Sequence, residues 1–367
     1  MHFPKILTPT LFVTLIASVL FAAMPPAQAQ TGSDDVILQM SQAFKTGNTA
    51  ALTALLPMAR GNPLEPWAAY WELKARLEQA SPQEVQDFLT RYAGTYQEDR
   101  LRNDWLLLLG QRRDWDDFSA NYAKFRMRDD PEVQCYALLI EQMSSASPPL
   151  TLASQVRKNW FSQHKADDGC TLAAGTLIAA KKMPALDAWR KARMAMTMNR
   201  QTMASDAVEI VAPEVLNLVA DIGSSPVKFL ASRASASSPV GRQLVVLALI
   251  RMAANDPDAA AVQLQSPWGP KLNSEERNWV WGFIGRQAAT RLSDDALDYY
   301  SRVTQDSDLT DDMLEWKARA ALRAGQWRAV LSSIDAMSKS ERSNVTWVYW
   351  KAHALAAQSE SNGVQGA

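Results

Sequence analysis

The sequence has 367 residues, with 38 Lys and Arg against 39 Asp and Glu, a formal net charge of −1 and a pI near 6.4. That balance lacks the basic surplus of an electrostatic nucleic-acid binder, so no nucleic-acid partner is expected. Gly (15) and Pro (18) together make 33 of 367 residues, about 9% against the roughly 12% of average chains, which excludes collagen-like and low-complexity chains and leaves few turn residues for an all-β protein.

The chain opens with a single Lys in Met1-His2-Phe3-Pro4-Lys5 and then runs apolar from Ile6 to Ala23, broken only by Thr, Ser and Pro9. Met24-Pro25-Pro26 breaks a helix, and Ala27-Gln28-Ala29 offers a small-x-small cleavage site. A basic start, an apolar stretch and such a site predict a secretory signal peptide over residues 1–29, cut before Gln30. An uncleaved anchor would need a longer apolar stretch. The remainder has no run of about 20 apolar residues, so a periplasmic chain without a membrane span is expected.

Nearly everything after Asp34 reads as helix. Trp67, Tyr70, Trp71, Lys74 and Leu77 form a stripe at three-to-four spacing. Ser81-Pro82-Gln83-Glu84 predicts a helix start with a capping box, Ser81 accepting from the first turn and Glu84 reaching back. Leu101, Trp105, Leu108 and Leu109 mark a further apolar face. Asp256-Pro257-Asp258 starts another helix, and Ser293-Asp294-Asp295 and Ser340-Glu341 are further start signals. Leu244-Val245-Val246-Leu247 is the best strand signal, but it lies in a run from Arg242 to Ala254 that suits a buried helix.

Cys135 and Cys170 are the only cysteines, 35 residues apart. In an oxidising compartment they read as a disulfide, which the chain-entropy account values at about 3–4 kcal/mol. The alternatives are an activated thiol near His164 or a metal held with Asp167 or Asp168; the spacing fits no recognised ligand pattern.

Trp316-Lys317-Ala318-Arg319-Ala320-Ala321-Leu322 recurs 34 residues later as Trp350-Lys351-Ala352-His353-Ala354-Leu355, the period of a helix pair. Trp189-Arg190-Lys191-Ala192-Arg193-Met194-Ala195 is a third copy and Trp71 to Leu77 a looser fourth. Ala permits close helix approach, Trp fills the neighbouring groove, and the Lys and Arg stems cover apolar surface with their heads in water. The expected fold is therefore all-α, an α-solenoid of short antiparallel helix pairs. It covers residues 30–358 and is followed by a disordered tail over 359–367.

Chemistry is sparse in the predicted mature chain. Its histidines are His164 and His353, and no G-x-S-x-G, P-loop, G-x-G-x-x-G or H-E-x-x-H pattern occurs. Asp114-Trp115-Asp116-Asp117, Asp294-Asp295, and Asp311-Asp312 with Glu315 each precede an apolar-periodic segment and read as helix N-terminal charge. Trp347, Tyr349 and Trp350 could stack on sugar rings, although helix packing is the commoner use of Trp. No catalytic residue, cofactor or metal is expected from these residues alone.

Several segments, taken in order, resemble the N-terminal superhelical domain of the soluble lytic murein transglycosylases. Asn62 to Trp71 is similar to the family's "PLxPYLEY" segment. Cys135 and Cys170 fall where the family has its disulfide, with Gly169 and Thr171 departing from "CDxLF". Arg319-Ala320-Ala321-Leu322 with Trp327 resembles "RxALxxxDW", and Trp347 to Ala352 resembles "WRYWxAR", with His353 where Arg is common. The resemblance spans roughly residues 34–358. It implies a right-handed superhelix, U-shaped or ring-like, that works on peptidoglycan glycan strands and meets other periplasmic cell-wall proteins. It also implies a following lysozyme-like domain, whose single Glu serves as general acid and then base while the muramyl 6-hydroxyl closes an anhydro ring. Glu360-Ser361 has the family's catalytic pair, but only six residues follow it, so the expectation is a scaffold without the catalytic part and a decoy pair. The competing expectations are a helical-repeat protein that docks periplasmic proteins and a glycan-binding module.

Overall fold

In the computed structural model, residues 31–145 and 149–364 are described, and among them every regular element is a helix. The expected signal peptide lies outside the described residues. The chain falls into two units, one ending at Trp105 and one beginning at Leu106.

The first unit holds α1 (Thr31–Lys45), α2 (Thr49–Leu55), α3 (Glu65–Ala75), α4 (Pro82–Arg91) and the first half of α5 (Tyr96–Arg112). Val36, Ile37, Met40, Leu52 and Ala68 form a buried cluster among α1, α2 and α3. The expected capping box is present at α4. Ser81 Oγ accepts from the Glu84 N–H at 3.3 Å, and Glu84 Oε2 accepts from the Ser81 N–H at 2.9 Å.

The second unit continues with α6 (Trp115–Tyr122), α7 (Pro131–Ser144), α8 (Leu152–Ser162), α9 (Gly169–Ala179), α10 (Ala185–Thr197) and α11 (Gln201–Glu209). Next come α12 (Leu216–Ser224), α13 (Pro226–Ser232), α14 (Pro239–Asn255), α15 (Pro257–Gln263) and α16 (Ser274–Thr290). The last are α17 (Ala296–Ser301), α18 (Asp311–Arg323), α19 (Trp327–Ala336), α20 (Lys339–Arg342) and α21 (Val345–Val364). Each helix packs on near neighbours in the chain. α7 meets α8 and α9, α10 meets α11 and α14, α14 meets α16, α16 meets α18, and α18 meets α19, which meets α21. That is the neighbour-to-neighbour packing of an α-solenoid.

Two helices form the spine of this unit. α14 buries the whole run Leu244 to Ile250, so the strand-like Val pair is a buried helix, as its length implied. α16 buries Trp279, Val280, Trp281, Phe283 and Ile284. Gly285 lets α17 approach, because a Cβ there would stand 2.9 Å from the Tyr300 ring. The last helix reaches Val364, past the boundary at 358 read from the sequence; residues 365–367 lie outside the described ones.

Helix starts follow the expected chemistry with shifts in detail. Asp256 Oδ1 accepts from the Ala259 N–H at 2.9 Å, and Asp114 Oδ1 from the Asp117 N–H at 3.3 Å. At α18 the cap is Thr310, whose Oγ1 accepts from the Met313 N–H at 3.3 Å. The acids there reach outward instead: Asp312 pairs with Arg286 at 2.9 Å, and Asp311 accepts from the Ser338 N–H at 2.7 Å. Ser338, two residues before Ser340, caps α20. Ser293 accepts from the Asp295 N–H at 3.2 Å, while Asp294 pairs with Arg323.

The recurring segments correct one expectation. Their constant part is Lys-Ala-Arg (or His), and its lysine heads end on protein partners, some of them partly exposed, rather than in water alone. Lys74 reaches Asp104 at 2.7 Å, Lys317 reaches Asp306 at 2.6 Å, and Lys351 pairs with Asp335. Lys191 and Arg193 are fully buried. Arg193 gives its Nη1 to both Glu275 oxygens at 2.9 and 3.0 Å and its Nη2 to Gln243 Oε1 at 2.9 Å. Gln243 in turn donates to Glu276 at 3.1 Å, and Arg242 pairs with that carboxylate at 3.2 Å. One network so joins α10, α14 and α16.

Arg193→Ala is expected to destabilise the chain by about 3–5 kcal/mol, because it strips the partner from buried acceptors. Arg319→Ala, at a more exposed pair with Glu315, is expected to cost less than about 1 kcal/mol. Urea unfolding followed by far-UV circular dichroism compares the two.

Candidate functional site

The sequence-marked residues of the second unit meet where α9 begins. Pro131 starts α7, and Asp130 Oδ1 caps it, accepting from the Glu132 and Val133 N–H groups at 2.9 and 3.2 Å. This places Cys135 one turn on, facing Cys170 in the first turn of α9. The two form a disulfide with S–S 2.07 Å and Cα–Cα 4.9 Å, and both are fully buried. Glu132 Oε1 accepts from the N–H groups of Asp168 and Gly169 at 3.0 and 3.2 Å, and Asp167 Oδ1 accepts from the Cys170 N–H at 2.7 Å. The α9 N-terminus is thereby held by two carboxylates, where the helix dipole favours negative charge. Gly169 is required by this closeness, since a Cβ there would lie 2.8 Å from the Glu132 carbonyl oxygen.

Asp168 turns the other way. It forms a two-point pair with Arg113, with one contact at 2.8 Å, and accepts from the Tyr136 hydroxyl. Arg113 has φ +62°, a left-handed conformation costing a non-glycine residue roughly 1–2 kcal/mol, and this pair holds it there. Partial burial raises the Asp168 pKa, but the bonds from Arg113 and Tyr136 outweigh it and leave the carboxyl below its ordinary value.

Lys191 enters from α10. Its Nζ donates to the carbonyls of Trp160 and, at 2.9 Å, Gln163, at the C-terminal end of α8, where cations are favoured. Burial lowers this ammonium to about 8, with Asp167 opposing. Burial raises Asp167 to about 6, against the hydrogen bond from the Cys170 N–H, and its Oδ2 is buried without a hydrogen-bond partner. The arrangement is a clasp joining α7, α8, α9 and α10. It brings together Cys135, Cys170, Asp167 and Asp168, while His164 is exposed. With the sulfurs bonded to each other no thiol nucleophile is formed, and among the described residues no three His, Cys, Asp or Glu side chains are grouped to hold a metal.

The other face of α7 lines a cleft of about 630 Å³ with α6 and α8, a size suited to a small organic ligand. Phe118, Tyr122, Arg128, Gln134, Glu141 and Gln155 face it. The Arg128 guanidinium lies 5.1 Å from the Tyr122 ring centroid, and Gln134 bonds Asn159 at 3.1 Å and the Arg128 carbonyl. Its carboxylate, Glu141, is exposed. Sequence reasoning missed it. The one available signal was the aromatic pair Phe118 and Tyr122 on one helix face.

The C-terminal aromatic residues divide by burial. Trp347 is buried, with its Nε1 donating to Glu341 at 3.0 Å and the Arg319 guanidinium 5.0 Å from its ring. Trp350 packs beside the same cluster. Tyr349 is exposed and lies 4.5 Å from the His353 ring. Packing is thus the role of both tryptophans, and the side chain of Glu360 lies outside the described residues.

No family model and no curated protein matches the chain. Solved structures do resemble it. The lytic transglycosylase Slt of Pseudomonas aeruginosa, in an inactive mutant, is 24% identical, with 87% of this chain and 52% of that one covered and a TM-score of 0.48. The 70-kDa soluble lytic transglycosylase of Escherichia coli is 16% identical, with 90% and 54% covered and a TM-score of 0.43. A 70-kDa soluble lytic transglycosylase in complex with bulgecin A gives the same identity and coverage with a TM-score of 0.42. The chain spans about half the length of these proteins. Among the described residues, no helix is long and apolar enough to cross a membrane.

The Asp167 carboxyl titrates at a higher pH folded than unfolded, so between its ordinary value near 3.8 and about 6 the folded state binds more protons. Its contribution to stability therefore falls as pH rises through that window. The stability difference between wild type and Asp167→Asn, measured by urea unfolding at pH 4 and pH 6.5, is expected to move against the wild type by about 1–3 kcal/mol at the higher pH.

Proposed function

We propose that this chain is the helical scaffold of a periplasmic soluble lytic transglycosylase, that it takes part in peptidoglycan turnover by holding glycan strands, and that it does not cleave them alone. One observation carries this reading. The segments resembling that family all fall on the helix array and in the family's order: Asn62 to Trp71 at α3, the Cys135–Cys170 bridge from α7 to α9, Arg319 to Leu322 on α18, and Trp347 to Ala352 on α21. An α-solenoid presents a long surface for an extended polymer, which suits a glycan strand. Two carboxylates raised by burial, Glu132 and Asp167, are engaged in holding α9, so the reading assigns bond cleavage to neither.

Co-sedimentation with purified sacculi is the test. The chain is expected to pellet with the sacculi and to release no soluble muropeptide. Release of anhydro-muropeptides by the chain alone would overturn its inactivity. Retention of periplasmic proteins without sacculus binding would overturn the glycan role in favour of a helical-repeat interaction protein.

A further inference from the structure

The cleft among α6, α7 and α8 contains an arginine whose fork is left open. Arg128 lies between α6 and α7 with φ +47°, a left-handed backbone that costs a non-glycine residue roughly 1–2 kcal/mol. Three contacts hold it there. Its Nε donates to the Phe125 carbonyl at 3.1 Å, its own carbonyl accepts from Gln134 Nε2 at 2.5 Å, and its guanidinium carbon lies 5.1 Å from the Tyr122 ring centroid. Its two Nη groups have no acceptor among the described residues. Arg113, left-handed like Arg128 and placed just before α6, gives its fork to Asp168 instead.

Glu141 stands at the other end of the same cleft. It follows Gln134 by seven residues of α7, about 10 Å at 1.5 Å per residue. Its carboxylate is exposed and has no partner among the described residues. Between the two charges the wall is apolar. It is made by Tyr122, Ala137, Leu138 and Ile140, all half-buried, and Phe118 stacks behind Tyr122 at 5.7 Å and 17°. The Tyr122 hydroxyl has no partner among the described residues, and Gln155 donates to Thr151 at 3.2 Å while its Oε1 stays free.

We propose that this cleft binds a short extended peptide with both termini free, about three residues long, its carboxylate on Arg128 and its ammonium on Glu141. A guanidinium fork matches the two oxygens of a carboxylate. The spacing of the charges sets the length. A single amino acid carries both charges on one carbon and reaches only one end, whereas three extended residues at about 3.3–3.6 Å each span roughly 10 Å. An apolar middle side chain lies on the Tyr122 and Leu138 wall, and the peptide groups meet the free Gln155 Oε1 and Tyr122 hydroxyl. A phosphate would bring a second negative charge to a single cation and would face Glu141. An aliphatic carboxylate would use Arg128 and the wall and leave Glu141 idle. The cleft of about 630 Å³ accommodates such a tripeptide. The inference stands on this cleft alone and does not depend on the glycan reading.

The probe is the tripeptide Ala-Leu-Ala, titrated calorimetrically into the full chain at low ionic strength beside its N-acetylated and C-amidated forms. The wild type is expected to bind the free tripeptide saturably at one site. Amidation is expected to weaken binding roughly tenfold, as loss of a charged hydrogen-bonded pair does, and acetylation about threefold, as loss of an exposed ion pair does. The variants should split these effects. Glu141→Gln should lose the preference for the free over the acetylated peptide and keep that for the free over the amidated one, and Arg128→Gln should do the reverse. A loss of fold would erase both preferences together, and the exposed Glu141 makes its variant the decisive one, with helical circular dichroism as the control. The proposal is overturned if the wild type binds no tripeptide, if blocked and free peptides bind alike, if hexanoate binds as tightly as the tripeptide, or if Glu141→Gln keeps both preferences.

Discussion

Arg193 meets no solvent, and its guanidinium ends on Glu275 and Gln243, 82 and 50 residues further along the chain. Removing a guanidinium from water costs several kcal/mol, so the position is tenable only with its acceptors fixed. Trp279 adds a ring 5.8 Å away, and Glu276 closes the network through Gln243 and Arg242. The arrangement matters because the apolar contacts of this core, among residues such as Ala192, Val245 and Ala248, have no direction of their own. Apolar contact supplies most of the stabilisation. The directional bonds choose one register among many of similar apolar area. In a solenoid, where each helix contacts only its neighbours, a slip at one joint displaces everything after it.

The same device recurs with different acceptors. Lys191 ends on the carbonyls that terminate α8, Lys317 on Asp306, and Lys74 on Asp104. The disulfide clasp depends on this logic too. Asp167 is tolerable at the start of α9 because the Cys170 N–H bonds it and the Lys191 ammonium stands nearby in charge, and Lys191 is itself fixed by the end of α8. The bridge adds a covalent constraint to a joint that charge has already oriented.

The helical class was legible because its signals are local. Period, capping chemistry at Ser81 and the shortage of turn residues all concern residues within a few positions of each other. The cysteines were legible because there are two of them. Asp311 and Asp312 stand in the first turn of α18 as read, but its cap, Thr310, was not singled out, and at α20 the cap is Ser338 rather than Ser340. Caps and first-turn acids are drawn from the same residue types, and which one stands at the break in backbone conformation depends on where the preceding loop is packed. The burial of Lys191 and Arg193 was illegible for a stronger reason. A stem that covers apolar surface and a head that crosses to another helix look alike in sequence, and the acceptor of Arg193 is far away along the chain. The α6–α7–α8 cleft was hidden in the same way, being lined from three helices that share no motif.

The near-equality of acidic and basic residues acquires a structural meaning from these joints. It first excluded a polyanion partner. In the folded chain many of the charges face each other across helix joints, as Arg157 and Arg190 do around Asp187, and Arg76 does between Glu72 and Glu84. Charges committed to register are withdrawn from recognition of an ionic ligand, since an approaching phosphate would compete with an existing carboxylate. What such a joint leaves at the surface is its aromatic edge, as at Tyr96 and Trp67 beside the Lys74–Asp104 pair. The near-neutral balance read from the sequence is thus the trace of charge pairs that set the register of the helix joints.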